Sequence, residues 1–145
     1  MNEENKTMVE IAEYYYREKD YNCAESVICA ANDFYGMGID PTTLKLSAAF
    51  GGGMTTGNVC GAVSGAMMAL GYLFVEERAH EGEQHIKVIG ATMMEQFEKS
   101  HSSTNCLVLK DLYADEQDGC IAVVQKAVTL LESVVTEYSH LRIDA

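Results

Sequence analysis

Apolar residues recur at intervals of three and four along nearly the whole chain, which is the spacing of amphipathic helices. Near the start, for example, Met8, Ile11, Ala12 and Tyr15 would share one helical face. No segment convincingly shows the strict alternation of a β-strand. The pattern therefore predicts an all-α bundle of about six to seven helices. The predicted helices run from Glu3 to Glu18, Cys23 to Tyr35, Pro41 to Phe50, Cys60 to Glu77, Glu83 to Lys99, Cys106 to Tyr113 and Gly119 to His140.

The segment from Leu46 to Val75 contains no charged residue, and its second half is mostly apolar. A membrane span is one interpretation, but three successive glycines and several polar residues interrupt the segment. The apolar part that remains is shorter than the ~20 residues that a bilayer requires. We therefore expect a buried central helix rather than membrane insertion. Gly61 and Gly65 lie one turn apart and would let another helix come close to it.

The chain has 145 residues, the usual length of one domain, and no Pro-rich or Ser-rich stretch divides it. We therefore expect one helical domain over residues 1–145. Acidic residues outnumber basic ones by 22 to 10, which gives a formal net charge of −12. Such a surface repels the phosphates of nucleic acids and anionic lipids, so neither is an expected partner.

The first residues, from Met1 to Lys6, are polar and are not followed by the apolar stretch of a secretory signal. We therefore expect a cytoplasmic protein, in which cysteines remain reduced. The chain has five cysteines. In a reducing compartment they are more typical of catalysis, metal binding or burial than of a disulfide framework.

Four of the five cysteines follow a good helix-capping residue by one or two positions. The pairs are Asn22 with Cys23, Asn58 with Cys60, Asn105 with Cys106, and Asp118 with Cys120. Asn and Asp cap helices because the side-chain oxygen accepts a free backbone N–H, so each cysteine should lie in the first turn of its own helix. Glu25 extends the first of these pairs to a capping box. Cys29 lies in mid-helix and is expected to be a core residue.

The start of a helix carries partial positive charge, which favours a thiolate over a thiol. The first-turn position therefore predicts a lowered pKa for Cys23, Cys60, Cys106 and Cys120, and the thiolate is both a nucleophile and a metal ligand. Four unrelated buried cysteines are the simpler alternative. We expect the four to meet in one redox or metal site, although the chain has no Cys-x-x-Cys motif that would indicate this locally.

Other candidate chemistry is weaker. His80, His85, His101 and His140 are scattered among acidic or polar neighbours, which is typical of surface histidines. The glycine-rich segment is not a phosphate-binding loop, because Asn58 and Val59 occupy the positions where Lys and Ser or Thr are required. No Ser-His-Asp arrangement is evident.

Several short motifs, taken in order, resemble the C_GCAxxG_C_C family of redox-active proteins. They are Asn22–Ser26, Phe50–Met54, Cys60–Ala66, Ser103–Cys106 and Cys120. The resemblance covers most of the chain and implies a redox role carried by Cys23, Cys60, Cys106 and Cys120. Gly51, Gly52, Gly53 and Gly61 would support that site by letting the backbone approach a neighbour or a bound cofactor closely.

Three functions remain open from the sequence. In the first, the four cysteines cycle between thiolate and disulfide, or transfer electrons, as in a thiol-dependent oxidoreductase. In the second, the same four cysteines bind an iron–sulfur cluster or, as a weaker alternative, a zinc ion. In the third, the chain is a non-catalytic helical subunit for protein interaction. The redox partner is not indicated, and a small homo-oligomer is compatible with the glycine-lined helix.

Overall fold

The computed structural model describes residues 6–144, which form an all-α bundle with no β-strand in that range. Seven α-helices account for most of it. They are α1 (Met8–Arg17), α2 (Cys23–Tyr35), α3 (Pro41–Leu44), α4 (Gly61–Phe74), α5 (His85–His101), α6 (Cys106–Tyr113) and α7 (Ile121–Glu137). The predicted fold class and helix order are therefore confirmed.

The helix ends agree with the local sequence signals to different degrees. The bounds of α2 and α6 are those predicted, and α2 ends at Gly36 in the left-handed conformation. Helix α1 begins at Met8 because Thr7 caps it and forms a capping box with Glu10. The spacing of apolar residues does not reveal this cap. Its predicted start at Glu3 lies outside the described residues.

Helix α4 lies at the centre of the bundle and packs against α2, α5 and α7. One series of its side chains is completely buried: Ala62, Val63, Ala66, Ala69, Leu70 and Leu73. Each buried Val or Leu contributes about 1.5–3 kcal/mol through removal of apolar surface from water. The apolar second half of the uncharged segment thus forms the buried central helix, as predicted. Within the described part of the chain, no helix combines the length and apolarity needed to cross a bilayer.

The chain between α3 and α4 is irregular. A 3₁₀ helix over Lys45–Phe50 continues α3, and a wide turn of π-type follows over Gly53–Gly57. Met54 and Thr55 in that turn have positive φ angles of 60° and 61°. Residues other than Gly, Asn and Asp seldom adopt this backbone conformation, so surrounding contacts must maintain the turn.

Helices α2 and α4 approach closely because Gly65 lacks a side chain, as predicted from its spacing with Gly61. A Cβ atom at Gly65 would lie 2.7 Å from the carbonyl oxygen of Ala24 and 3.0 Å from Cβ of Val27. Both neighbours belong to α2. Neither the backbone oxygen nor the buried Val27 side chain can move aside without shifting the helix.

We expect Gly65→Ala to destabilise the protein by about 1–3 kcal/mol, because the added methyl group separates two packed helices. The matched control is Gly71→Ala in the same helix, where no atom lies within 4 Å of the added Cβ. That substitution should stabilise the fold by about 0.5–1 kcal/mol through helix propensity alone. Urea unfolding of both variants measures the difference. Equal effects of the two substitutions would disprove the role of Gly65.

His101 is not a surface histidine, so that expectation is wrong, whereas His80, His85 and His140 are exposed. This residue is only 3% exposed, and its ring stacks on Phe97 and lies edge to face with Tyr113. Nδ1 lies 3.0 Å from the carbonyl oxygen of Phe97. Burial lowers the pKa of His101, although the contact with the Phe97 carbonyl acts in the opposite direction.

A lowered pKa in the folded state means that the unfolded chain takes up a proton first as the pH falls. His101 therefore contributes stability fully above about pH 6.5, the ordinary pKa, and this contribution is lost as the pH decreases below it. We expect the melting temperature of the wild type to fall between pH 7.5 and 5.5, and to fall less in His101→Gln. The control His140→Gln, at an exposed position, should follow the wild type. Identical pH profiles for all three proteins would exclude a contribution from His101.

Candidate functional site

A cavity of about 740 Å³ opens where the starts of α2, α4, α6 and α7 meet. Its volume lies in the ~300–1,000 Å³ range of small-molecule and cofactor sites. Four cysteines line it, one from each helix start: Cys23, Cys60, Cys106 and Cys120. All five cysteines of the chain are free thiols, and Cys29 is buried in α2 and does not line the cavity.

Two of the four helix starts have the predicted caps. The side chain of Asn22 accepts the backbone N–H of Glu25 at 2.9 Å, and the carboxylate of Glu25 accepts the N–H of Asn22. Asn105 accepts the backbone N–H of Val108 in the same way. Cys23 and Cys106 are consequently the first residues of α2 and α6.

The other two predicted caps are wrong by two residues. Cys60 and Cys120 themselves occupy the capping positions of α4 and α7. Instead, the N–H of Asn58 donates to the carbonyl of Gly53, and its own carbonyl accepts the N–H of Cys106. The Asp118 carboxylate lies 3.6 Å from Nε of Arg17. All four cysteines therefore lie at helix starts, but only Cys23 and Cys106 lie inside the first turn.

A short antiparallel bridge between Val59 and Asn105 brings two of the cysteines together. The N–H of Cys60 donates to the carbonyl of Thr104 at 2.8 Å, and the N–H of Cys106 donates to the carbonyl of Asn58 at 2.6 Å. The start of α6 is thereby held against the start of α4. The bridge joins residues far apart in sequence, so helical periodicity gives no sign of it.

Glycines allow the cysteine-bearing segments to approach one another. A Cβ at Gly61 would lie 2.6 Å from Sγ of Cys23, and a Cβ at Gly53 would lie 2.5 Å from Cβ of Cys106. Gly51 is in similar contact with the side chain of Asn22, whereas Gly52 lines the cavity. Of the four glycines singled out in the sequence, three thus accommodate protein atoms and one faces the open space. Cofactor binding by them stays a prediction.

The prediction of lowered cysteine pKa values is wrong for three of the four residues. Burial raises the pKa of Cys60 to about 12, and negative charge on Cys23 raises it further. The helix-start effect does exist, because the N–H groups of Val63 and Ala62 lower the pKa of Cys60, but it is smaller than the cost of burying a charge. Burial also raises the pKa of Cys106 and Cys120, again with a contribution from Cys23.

Several residues that sequence reasoning missed also line the cavity, among them Tyr16, Arg17 and Lys110. Arg17 contacts the carboxylates of Glu13 and Asp118 at 3.2 and 3.6 Å. Lys110 forms no ion pair with residues 6–144, and its charge lowers the pKa of both Cys106 and Cys120. Its position four residues after Cys106 on α6 is the one sequence signal that could have identified it.

The four thiols line the cavity without converging on one common position. In the region covered by the structure, no three Cys, His, Asp or Glu side chains are arranged to hold one metal ion. Cys60 and Cys106 are 5% and 6% exposed, whereas Cys23 and Cys120 are half-buried. The site therefore presents two sheltered and two accessible sulfurs to the cavity.

Comparison with known proteins gives one match. The model of the family described as "Putative redox-active protein (C_GCAxxG_C_C)" matches residues 21–134, well over half of the chain. That range includes all four cavity cysteines. Comparisons with curated proteins and with solved structures give no match.

We expect Lys110→Met to slow alkylation of the cavity thiols at neutral pH in the reduced, metal-free protein. Removal of the positive charge further raises the pKa of Cys106 and Cys120, so less thiolate is present. The decrease should be roughly two- to fivefold, because an exposed charge is worth up to about 1 kcal/mol. The rate of iodoacetamide labelling at each cysteine, followed by mass spectrometry, measures it. Lys87→Met on α5 is the matched control, and an equal decrease there would contradict the assignment.

Proposed function

This chain belongs to the C_GCAxxG_C_C family, and on that basis we propose that Cys23, Cys60, Cys106 and Cys120 form one redox site for electron transfer. In this proposal the four cysteines act as the thiolate ligands of an iron–sulfur cluster. The observation that carries it is the convergence of four helix starts, each with one cysteine, on a single cavity. Unrelated buried cysteines would lie at separate positions in the core, as Cys29 does, and would not line one cavity.

The donor set fits an iron–sulfur cluster. Clusters with two or four irons take four cysteine thiolates, the number that lines the cavity. Because a cluster contains several metal atoms, its thiolate ligands need not converge on one point, as the four ligands of a zinc ion must. The absence of any three metal-binding side chains around one position in residues 6–144 argues against zinc, and the case for a cluster rests on the four cysteines that line the cavity.

The raised thiol pKa values are consistent with a metal-binding role. Without metal, burial is the main reason that the pKa values of Cys60, Cys106 and Cys120 are raised, although Lys110 acts in the opposite direction at Cys106 and Cys120. Such thiols are poor nucleophiles, but metal binding deprotonates a coordinating thiol outright. When bound, the cluster would supply one-electron transfer.

The residues of the chain itself would shield and stabilise this site. Cys60 and Cys106 are almost completely buried, which keeps water away from two of the sulfurs. At the start of α4 the N–H groups of Val63 and Ala62 favour negative charge on the sulfur of Cys60. Lys110 adds one positive charge on the side of Cys106 and Cys120.

Thiol–disulfide exchange is the second candidate, and one observation favours it. Cys23 and Cys120 are half-buried, so an external thiol or disulfide could reach them. In that case the attacking residue would be one of these two accessible thiols, because Cys60 and Cys106 are almost completely buried. The two candidates share the same residues and differ in whether metal is present.

We expect protein purified without oxygen to be brown and to contain iron and acid-labile sulfide. Cys60→Ser and Cys106→Ser should each reduce iron retention by about tenfold or more. Replacing a residue that only hydrogen-bonds to a metal ligand already lowers metal affinity by that factor. Cys29→Ser, which alters a cysteine outside the cavity, should retain the cluster. Iron, zinc and sulfide analysis with an absorption spectrum gives the result.

Other outcomes of this experiment separate the alternatives. Colourless protein without metal, in which pairs of cavity cysteines form reversible disulfides, would replace the cluster by thiol–disulfide exchange. One equivalent of zinc without sulfide would exclude both redox forms. If Ser at all four positions changes neither stability nor the binding of a partner, the four cysteines have no functional role.

A further inference from the structure

Tyr16 contributes to the cysteine cavity from α1, a helix that has no cysteine of its own. Its hydroxyl oxygen accepts the backbone N–H of Cys120 at 2.9 Å. The two residues are 104 positions apart in the chain. This hydrogen bond ties α1 to the start of α7 and places Tyr16 in the lining of the cavity that the four cysteines share.

The contact is accommodated by the backbone of the neighbouring residue. A Cβ at Gly119 would lie 2.7 Å from the hydroxyl oxygen of Tyr16, and Gly119 has a φ of +56°. Any other residue at this position would displace the phenol and be strained as well. The position of Tyr16 therefore depends on a residue that leaves space for its hydroxyl group.

The hydroxyl hydrogen of Tyr16 is available for a further bond. A phenol can accept one hydrogen bond and donate another, and the N–H of Cys120 occupies the accepting side. Across residues 6–144 no acceptor, the cysteine sulfurs included, is bonded to this hydrogen, and Tyr16 lines the open cavity. The nearby carboxylate of Asp115 already accepts the N–H groups of Gln117 and Asp118 at 2.9 and 2.5 Å.

We propose that Tyr16 is a positioning residue of the redox site, whose hydroxyl donates a hydrogen bond to sulfur in the cavity. The acceptor is a sulfur that comes within reach when the site is charged or loaded: the thiolate of Cys120 or Cys23, or a sulfur atom that these cysteines hold. The inference rests on the proposed function only in so far as the four cysteines form the site. It adds a residue that lies before the range matched by the family model, which begins at residue 21.

The electrostatics around Tyr16 support this geometry. Burial is the main reason that the pKa of Tyr16 is raised, and the N–H of Cys120 opposes it. Negative charge on Cys120, and then on Cys23, raises the pKa further. Negative charge on either sulfur therefore favours the protonated form of the hydroxyl, which is the form that donates a hydrogen bond.

A hydrogen bond to sulfur stabilises the more negative state of the site. In a cluster this is the reduced state, so the bond raises the reduction potential. In metal-free protein it is the thiolate, so the bond lowers the pKa of the cysteine that accepts it. The same donor thus has a measurable effect whether or not a cluster is present.

The test compares Tyr16→Phe with Tyr14→Phe, a matched change on the same helix at an exposed tyrosine. In cluster-loaded protein, Tyr16→Phe should lower the midpoint potential, with the reduced state weakened about tenfold, or ~59 mV for one electron. Tyr14→Phe should leave the potential unchanged. A potential equal to that of the wild type in Tyr16→Phe would overturn the proposal.

The second measurement needs no cluster and therefore separates this inference from the proposed function. Thiolate absorbance of the reduced, metal-free protein is titrated with pH for the same variants. Tyr16→Phe should shift the thiolate titration to higher pH. In a protein in which Cys120 and Cys23 are both replaced by Ser, adding Tyr16→Phe should cause no such shift. Failure to bind iron in every variant would refute the cluster but not this shift. An unshifted titration would refute the hydrogen bond, even if the cluster is present.

Discussion

The arrangement of the site depends on two backbone hydrogen bonds, those between Cys60 and Thr104 and between Cys106 and Asn58. Helix α6 has only eight residues, and only Cys106 and Leu109 on it are buried. Its own packing is too limited to fix its position. The bridge therefore determines where the Cys106 sulfur lies, and the wide turn with Met54 and Thr55 in the left-handed conformation is maintained next to it.

Two opposing effects set the chemistry of the sulfurs. The helix starts favour a thiolate, whereas removal from water favours the neutral thiol, and at Cys60 the second effect is the larger. Four neighbouring cysteines also cannot all be charged without a compensating cation. A site of this kind is poorly suited to present a permanently activated nucleophile.

Local features of the fold could be predicted from the sequence, because their signals lie within a few residues. The caps Asn22 and Asn105 and the full extent of α2 and α6 are examples. The contacts between distant segments could not be predicted, because periodicity contains no information about them. Tyr16 beside Cys120 and the bridge between Val59 and Asn105 belong to this class. His101 was misjudged because its polar sequence neighbours gave no indication of the aromatic rings that cover it.

The four sulfurs come from the starts of helices that are distributed over most of the chain, and the last of them precedes α7. A growing polypeptide is made from its N-terminus, so all four sulfurs exist before the final α-helix has been synthesised. The pocket cannot assume its shape until α7 has packed onto α1 and α2. Anything that the four sulfurs hold together must therefore be acquired after translation has passed this helix, as a late step in the maturation of the protein.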